Sequence, residues 1–426
     1  MKKLLITGGA RLSGTVRIHG AKNSVLPVLA ACCLCTSPCV LHNCPDIEDV
    51  RTALAILESL GCKTRREGST LCIDPSGLSR FRVEKRLAGK MRSSILFLGA
   101  LLARCGKAEL ALPGGCPLGE RPIDLHVKSL AKLGARFSFE KGILQAAWRE
   151  RSDGDVFLPR PSVGATENLL LACALGSGTV TLHGAAREPE ITDLIGFLRA
   201  AGADIRGAGT SELTICGAHK LHGATYTILP DRIETATYLC MAAGCGGEVE
   251  LQRCDGRLLA PVIERLREAG CEIRCGGSEI ALKSSGKLTA VSPVTTAPYP
   301  GFPTDAQAIL MAAVLRAKGE SVFQETVFER RFLHVPELQK LGADIALSGK
   351  TARVRGVSDL HGAKLRASDL RGAAALITGS LMAEGESEIL GLSHLARGYE
   401  SLEQNLKNLG ASIKSVDIPA PFVYNT

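Results

Sequence analysis

Basic side chains recur at the start of apolar segments along this chain, at a spacing close to 70 residues. A cation at a helix N-terminus is disfavoured by about 0.3–1 kcal/mol, because the helix dipole already places positive charge there. A bound phosphate or carboxylate removes this conflict, so the pattern predicts a site for small anionic substrates. A solvated surface cation is the alternative at any single position. The polar residues that open the six segments are Lys22, Arg92, Ser162, Arg232, Asp305 and Arg371, and the first four lie 70 residues apart.

A cysteine lies in a second reactive stretch, LPGGCPLGERPIDLH at residues 112–126. Gly114 and Gly115 free the backbone before Cys116, while nearby prolines stiffen the flanks, which is typical of a loop that folds over a ligand. Arg121, five residues further on, would favour the reactive thiolate. Taken alone, the residue types leave open an inert thiol.

Two sets of helices must position these groups. A Leu-Gly or Ala-Gly signal ends an amphipathic segment six times, and the intervals of 73, 68, 68, 72 and 68 residues predict a sixfold repeat of about 70 residues. Between them lie the six segments described above, which are apolar on all sides and are therefore expected to be buried on every side. The repeated glycines are Gly61, Gly134, Gly202, Gly270, Gly342 and Gly410.

The repeat count predicts an α/β (α+β) protein of two similar domains with three repeats each. Short alternating segments rich in Val, Ile and Thr, about four per repeat, are expected to form sheets that cover central helices. The first strands are expected to belong with the C-terminal half. The predicted domains are residues 20–229, with Cys116, and residues 1–19 plus 230–426, with Asp305.

Composition excludes several classes of protein. A net charge of +8 with only 4% aromatic residues disfavours nucleic-acid binding, and no Walker A or GxGxxG motif supports ordinary ATP or dinucleotide binding. The nine histidines form no paired metal-ligand spacing, so no metal is expected. Neither a signal peptide nor a membrane-spanning segment is recognisable, and we expect a cytoplasmic protein without membrane insertion.

Ten motifs in chain order resemble those of the enolpyruvyl transferases that act on UDP-N-acetylglucosamine. The resemblance implies two inside-out α/β barrels of three repeated units each, with the substrates between them. It implies transfer of the enolpyruvyl group of phosphoenolpyruvate to the sugar 3-hydroxyl with release of phosphate, without metal or organic cofactor. The oligomeric state stays open, with a monomer favoured. The motifs are GAKNSVLP, KMRSSI, LPGGCPLGERPIDLH, PSVGATEN, AAREPEI, LPDRIETATY, FPTDAQA, ETVFERRFLHVPEL, DLRGAAALI and RGYE.

The same resemblance assigns roles to individual residues. Asp305 would take the proton from the sugar hydroxyl, although a helix cap is its alternative. Cys116 would donate a proton to the methylene carbon and would be the target of the epoxide antibiotic fosfomycin, and Asn23 would steady the transition state. The residues expected to hold phosphoenolpyruvate are Lys22, Arg121, Arg331, Arg371 and Arg397. Those expected around the UDP-sugar are Asn23, Arg92, Arg121, Pro122, Ile123, Asp124, Leu125, Arg160, Ser162, Val163, Gly164, Asp305 and Val327. Arg232, from the repeated pattern of cations, is also expected to bind substrate.

Some positions depart from the common pattern of that family. Arg160 stands where lysine is frequent, Ala396 where aspartate is usual, and Pro117 and Glu120 occupy variable positions, which leaves substrate affinity open. Three rival interpretations remain: the transferase acting on shikimate 3-phosphate, a catalytically silent regulator, and a nucleic-acid end-processing enzyme. Cys116 and the AAREPEI motif disfavour the first, the complete catalytic set disfavours the second, and scarce aromatic residues disfavour the third. Whether this is a principal or a duplicate transferase is not decided by the sequence.

Overall fold

The computed structural model describes residues 2–114, 118–119, 122–149 and 151–418, which form two compact units. The first, here called the N unit, holds residues 19–231 apart from Leu118 and Gly119. The second, the C unit, holds residues 2–18, those two residues and 232–418. The chain changes unit beside the boundaries that the sequence predicts, and independent folding of two domains stays a prediction.

Fourteen α-helices lie within the described residues. They are α1 Lys22–Ala31, α2 Glu48–Leu60, α3 Lys85–Ala88, α4 Leu96–Cys105, α5 Asp124–Lys132, α6 Val163–Cys173, α7 Pro189–Ala200, α8 Arg232–Cys245, α9 Ala260–Glu268, α10 Thr304–Ala313, α11 Val335–Gln339, α12 Leu370–Met382, α13 Ser393–Ala396 and α14 Leu402–Asn408. Short 3-10 turns lie at Cys32–Leu34, Arg92–Ile95 and Gly256–Leu259.

Twenty-four strands accompany these helices in the same described ranges. They are β1 Lys2–Thr7, β2 Leu12–Arg17, β3 Cys39–His42, β4 Lys63–Glu67, β5 Thr70–Asp74, β6 Arg82–Val83, β7 Lys107–Ala111, β8 Arg136–Glu140, β9 Ile143–Ala147, β10 Gly154–Phe157, β11 Thr179–His183, β12 Asp204–Arg206, β13 Glu212–Cys216, β14 Thr225–Thr227, β15 Gly247–Gln252, β16 Glu272–Gly276, β17 Glu279–Ser284, β18 Val294–Thr295, β19 Glu320–Gln324, β20 Asp344–Ser348, β21 Thr351–Arg355, β22 Lys364–Arg366, β23 Glu386–Leu390 and β24 Ser412–Asp417.

The described strands pair into six four-stranded sheets, three in each unit. The N unit has the orders β14-β3-β5-β4, β6-β7-β9-β8 and β10-β11-β13-β12, and the C unit has β16-β17-β15-β2, β18-β19-β21-β20 and β22-β23-β1-β24. Each sheet has one parallel pair at an edge and two antiparallel pairs, as in β10 parallel to β11. The mixed α/β fold with three repeats per unit is thereby confirmed.

Three central helices pack together in each unit, α1, α4 and α6 in the N unit and α8, α10 and α12 in the C unit. Every residue of α12 from Arg371 to Met382 is buried, and so is every residue of α8 from Arg232 to Gly244. Burial on all sides is what their all-round apolar sequences predict. Each unit has its own hydrophobic cluster.

The six repeated glycines share one backbone conformation. All have positive φ, from 94° at Gly342 to 107° at Gly61, where glycine is favoured because it has no Cβ. After α2 the N–H of Gly61 bonds to the carbonyl of Glu58 and that of Cys62 to the carbonyl of Leu57. The same pair of bonds follows α5, α7, α9, α11 and α14, which is the Schellman termination.

The two N-terminal strands complete sheets of the C unit. Strand β1 lies between β23 and β24, pairing Leu4 with Ile389 and with Ser415. Strand β2 runs parallel to β15 at the edge of another sheet. The strands before the first central helix therefore pair with the C-terminal half, as the repeat phase predicts.

Candidate functional site

Lys22 is the first residue of α1, and the chain's own carboxylates balance its charge. The Lys22 ammonium lies 2.8 Å from Oδ2 of Asp49, a pair whose side chains are 12% and 5% exposed. The backbone N–H of Lys22 donates to Oδ2 of Asp231 at 3.2 Å. Asn23, next on the helix, is exposed. The sequence assigns the balancing charge to a ligand, which stays a prediction, and the structure adds two aspartates at this helix start.

The start of α12 in the C unit is balanced in a similar way. The side chain of Asp369 caps this helix, accepting from the backbone N–H groups of Arg371 and Gly372 at 3.1 and 3.0 Å. An aspartate at this position is stabilised by the helix dipole, which offsets the unfavourable placement of the arginine beside it. Because Asp369 stands two residues before Arg371, a local capping signal was present in the sequence and was missed.

Asp305 lies in the first turn of α10 and is held by two buried arginines. Nη2 of Arg331 is 2.9 Å from Oδ1 of Asp305, and Nη2 of Arg371 is 3.2 Å from Oδ2. The Arg331 side chain is 2% exposed and that of Arg371 is 4% exposed, whereas Asp305 keeps 28% of its side chain exposed. The structure thus brings together three residues that are separated by up to 66 positions and were all predicted to act on substrate.

Arg331 is anchored by further contacts. Its Nε and Nη2 donate to the carbonyl oxygen of Thr304 at 3.1 and 2.8 Å, and its Nη1 lies 3.8 Å from Oδ1 of Asp369. A guanidinium has five donors in a fixed plane, so one arginine can orient a carboxylate and still bond a helix start. Arg331 thereby fixes the direction of Asp305, and this positioning role was not anticipated.

The loop that carries Val327 is organised by a buried glutamate. Glu325 is 1% exposed and accepts from the hydroxyls of Thr296 and Thr304, each at 2.9 Å. It also accepts from the backbone N–H groups of Val327 and Phe328 at 2.7 and 3.0 Å. Four donors satisfy a buried carboxylate well. Val327 itself is 45% exposed, and Glu325, although it opens a quoted motif, was not predicted.

Several predicted residues for the UDP-sugar lie near the start of α5. Nη2 of Arg92 donates to the carbonyl of Pro122 at 3.1 Å, and Ile123 is half-buried just before the helix. A cavity of about 540 Å³ opens beside the helix, where Lys128 and Lys132 share a face at i,i+4 spacing. The residues that line this cavity are Asp124, Leu125, Lys128, Ser129, Lys132, Val156, Phe157, Pro159 and Arg160. The sequence predicted three of them, Asp124, Leu125 and Arg160.

The start of α6 lies in the same unit. Ser162 caps the helix by accepting from the backbone N–H of Ala165 at 3.4 Å, so Val163 and Gly164 form its first turn. Backbone N–H groups of a first turn lack partners within the helix and suit an anion. At Val163 and Gly164, the hydrogen-bond donors available to the predicted ligand are therefore backbone N–H groups and not side chains.

The remaining cations of the C unit take separate positions. Arg232 at the start of α8 is 9% exposed, and its guanidinium lies 5.7 Å from the centre of the Tyr299 ring. Arg397 is half-buried where α13 ends. Burial lowers the pKa of His394 on α13, and Arg397 lowers it further while Asp369 opposes the shift.

Cys116 and Arg121, together with Pro117 and Glu120, lie outside the described residues, so their predicted roles are not tested. Across the ranges that the structure describes, no group of three or more His, Cys, Asp or Glu side chains is arranged to hold a metal ion. Over the same ranges, no helix has the length and apolar character needed to cross a membrane.

Comparison with known proteins gives a family match over almost the whole chain. The model of the EPSP synthase (3-phosphoshikimate 1-carboxyvinyltransferase) family matches residues 6–406. The UDP-N-acetylglucosamine 1-carboxyvinyltransferase of Solidesulfovibrio magneticus is 46% identical over 414 residues, covering 97% of this chain and 99% of that protein. UDP-N-acetylglucosamine 1-carboxyvinyltransferase 2 of Caldanaerobacter subterraneus is 45% identical over 413 residues, with the same coverage. The chain belongs to the UDP-N-acetylglucosamine 1-carboxyvinyltransferase family.

Solved structures agree with this family. The enolpyruvyl transferase NikO from Streptomyces tendae superposes with a TM-score of 0.89 at 29% identity, covering 98% of this chain and 99% of that one. EPSP synthase from Acinetobacter baumannii superposes with a TM-score of 0.73 at 18% identity, covering 98% and 100%, which shows a shared fold. The resemblance inferred from the motifs is confirmed, and the chain is a transferase of the 1-carboxyvinyl class.

Proposed function

We propose that the protein transfers the enolpyruvyl group of phosphoenolpyruvate to the 3-hydroxyl of UDP-N-acetylglucosamine and releases phosphate, the first committed step of peptidoglycan synthesis. The observation that supports this most strongly is Asp305, a partly exposed carboxylate held by Arg331 and Arg371 in a chain of this family. Two guanidinium groups suit the carboxylate and phosphate of phosphoenolpyruvate. A carboxylate beside them suits removal of a hydroxyl proton.

The proposed chemistry is an addition followed by an elimination. Asp305 accepts the proton of the 3-hydroxyl, and that oxygen forms a bond to C2 of phosphoenolpyruvate. The methylene carbon gains a proton from the thiol of Cys116, so a tetrahedral phosphate adduct with a methyl group results. The methyl group then returns a proton to the Cys116 thiolate, and phosphate leaves C2 with the proton that Asp305 took. The C=C bond of the enolpyruvyl group, now attached to the sugar oxygen, is thereby restored. Each proton gained in the first step is lost in the second.

The other predicted residues take binding roles in this proposal. Lys22, Arg121, Arg331, Arg371 and Arg397 neutralise phosphoenolpyruvate, and Asn23 hydrogen-bonds to the reacting group. Arg92, Arg232, Val327, residues 121–125, Arg160 and residues 162–164 hold the UDP-sugar. Since Lys22, Arg331 and Arg371 already bond to aspartates, substrate anions enter sites whose cations are oriented beforehand.

The proposal extends to the setting of the reaction. The protein acts in the cytoplasm, as a monomer, on two small phosphorylated substrates. It needs no metal, organic cofactor, nucleic acid or membrane.

The test measures phosphate release from phosphoenolpyruvate with either UDP-N-acetylglucosamine or shikimate 3-phosphate as acceptor. We expect release with the UDP-sugar alone and a loss of at least 100-fold in kcat for Asp305→Asn, because a general base contributes about 10²–10⁴-fold. Asp344→Asn, the same change at an exposed residue of β20 in the same unit, should keep full activity. Release with shikimate 3-phosphate, or full activity of Asp305→Asn, would overturn the proposal.

A further inference from the structure

Asn168, on the central helix α6, has its side-chain amide fixed by three hydrogen bonds. The residue is fully buried. Its Oδ1 accepts from the backbone N–H of Gly99 at 2.7 Å, and its Nδ2 donates to the carbonyl of Ile95 at 3.0 Å. An N–H can only donate and a carbonyl can only accept, so the amide has a single possible orientation. Its nitrogen faces Ile95, and its oxygen faces Gly99.

The third bond of this amide decides the state of His126. Nδ2 of Asn168 lies 2.8 Å from Nδ1 of His126 on α5. Because the amide nitrogen supplies the hydrogen, Nδ1 must accept and carries none of its own. The proton of a neutral imidazole is then on Nε2. His126 is therefore expected to present an N–H from the other edge of its ring.

The surroundings keep this imidazole neutral. His126 is 6% exposed, and burial together with Arg92 lowers its pKa to about 4, against a smaller opposing effect of Asp124. Arg92 and Asp124 are the charged groups that act on it, while α6 contributes Gly164 and Asn168, which do not titrate. A neutral ring with a fixed tautomer is a hydrogen-bond donor over the whole physiological pH range.

The donor edge faces the start of α6. A Cβ placed on Gly164 would lie 3.1 Å from Cε1 and 3.4 Å from Nε2 of His126, so the ring edge lies against the first turn of the helix. Nothing among the described residues accepts a hydrogen bond from Nε2. The ring edge that carries this N–H thus lies against a helix start whose first backbone N–H groups have no partner within the helix, and both kinds of donor suit an anionic oxygen.

We propose that His126 donates a hydrogen bond from Nε2 to a phosphate oxygen of the nucleotide-sugar acceptor, and that Asn168 is the positioning residue that holds its tautomer. This inference rests on the proposed function, and it adds two residues to those that the motif comparison assigned. His126 lies directly after Leu125 in the chain. Residues 121–125 were predicted to line the UDP-sugar, and His126 was not.

The decisive variant is Asn168→Asp, which keeps the size of the side chain and replaces the amide donor by a carboxylate. A carboxylate accepts from Nδ1–H, so it reverses the tautomer of the neutral ring and raises the pKa of His126. At low pH the imidazolium still donates from Nε2. Above its new pKa the ring presents a lone pair to the phosphate, and binding weakens.

We therefore expect KM for UDP-N-acetylglucosamine in Asn168→Asp to rise about 10- to 100-fold between pH 6 and pH 9, which corresponds to loss of a hydrogen bond to a charged group. In the native protein, KM for UDP-N-acetylglucosamine should change much less over this pH range. In Asn168→Asp, KM for phosphoenolpyruvate should not rise with pH. A variant KM that is independent of pH, or one that rises equally for both substrates, would overturn the inference. Failure of the proposed function can be distinguished from failure of this inference, because the native protein would then release no phosphate.

Nitrogen-15 NMR of histidine-labelled native protein gives a second readout that does not depend on the variant's folding. At pH 7 we expect His126 to be protonated at Nε2 alone, with that N–H signal shifting when UDP is added. A ring protonated at Nδ1, or an Nε2–H signal unmoved by saturating UDP, would contradict the proposed contact. His126→Gln, which retains a long amide donor, should keep more affinity for the acceptor than His126→Leu.

Discussion

At the scale of single residues, aspartates hold the cations through which the protein is proposed to bind anions. Asp49 holds Lys22, and Asp305 holds both Arg331 and Arg371. Removing charged groups from water costs free energy that a partner must offset. The pairs offset this cost before substrate arrives, so a substrate anion adds to an arranged network and need not order loose side chains.

A buried glutamate on α6 makes the stability of the folded protein depend on pH. Burial, with Glu190 and Glu188 close by, raises the pKa of Glu167 on α6 well above its usual range. A raised pKa means that the folded chain binds this proton more tightly than the unfolded chain does. The stability that this proton adds to the folded protein is fully present below the pKa of about 4.5 that Glu167 has in the unfolded chain. It is lost as the pH rises through the pKa of the folded protein.

Glu167→Gln should therefore stabilise the protein at neutral pH and have little effect near pH 4. The difference in unfolding free energy should grow by up to about 1.4 kcal/mol per pH unit between the two pKa values. Urea unfolding at several pH values measures it. Glu140→Gln, the same change at an exposed residue of β8 in the same unit, should show no such slope. A slope of zero for Glu167→Gln would contradict the raised pKa.

At the scale of helices and strands, the six repeated glycines are equivalent positions at which the cost of backbone strain can be compared. Gly270 after α9 has φ near 101° with no atom within 4 Å of an added Cβ, whereas a Cβ on Gly61 after α2 would clash with the carbonyl oxygen of Gly77. The two positions thus share a conformation and differ in available space.

Gly270→Ala should cost about 1–2 kcal/mol of unfolding free energy, the strain of a left-handed conformation for an L-residue. Gly61→Ala should cost clearly more, because backbone must also move. Chemical denaturation of both variants measures the difference. Equal costs would mean that the space around the helix end does not matter, which would contradict the packing described for Gly61.

The glycine repeat also shows what the sequence could and could not predict. A Schellman ending is local, since φ and two hydrogen bonds within six residues determine it. The sequence therefore located the ends of all six helices that close in this way, α2, α5, α7, α9, α11 and α14. The partners of the site cations were not local. Asp49 is 27 residues from Lys22 and Asp231 is 209 residues away, so only folding brings them together. His126 and Asn168 were missed for the same reason, being 42 residues apart.

At the scale of the whole molecule, the two units differ in how the chain builds them. All strands and core residues of the N unit come from residues 19–231, whereas the C unit needs β1 and β2 from the beginning of the chain. A chain of residues 232–418 lacks one inner strand and one edge strand. Loss of an inner strand leaves two neighbours with unpaired backbone groups.

We expect residues 19–231 to fold alone with a cooperative thermal transition, and residues 232–418 not to do so. A permuted chain, in which residues 2–18 follow residue 418 through a flexible linker, should recover the transition. Circular dichroism and calorimetry of the three chains measure these outcomes. Cooperative folding of residues 232–418 alone would show that β1 is dispensable, against the pairing with β23 and β24.

The position of β1 has a consequence for synthesis on the ribosome. Its partners β23 and β24 begin at Glu386 and Ser412, so at about 5–20 residues per second the first strand waits roughly 20–80 s before it can pair. During that time its free edges are exposed to other nascent chains, and an unpaired apolar strand is a site for aggregation. Lys2 and Lys3 precede Leu4 and Ile6 in this strand, and lysines at a free edge deter such pairing. A strand that is made before nearly all the rest of its unit is thus among the last to be paired.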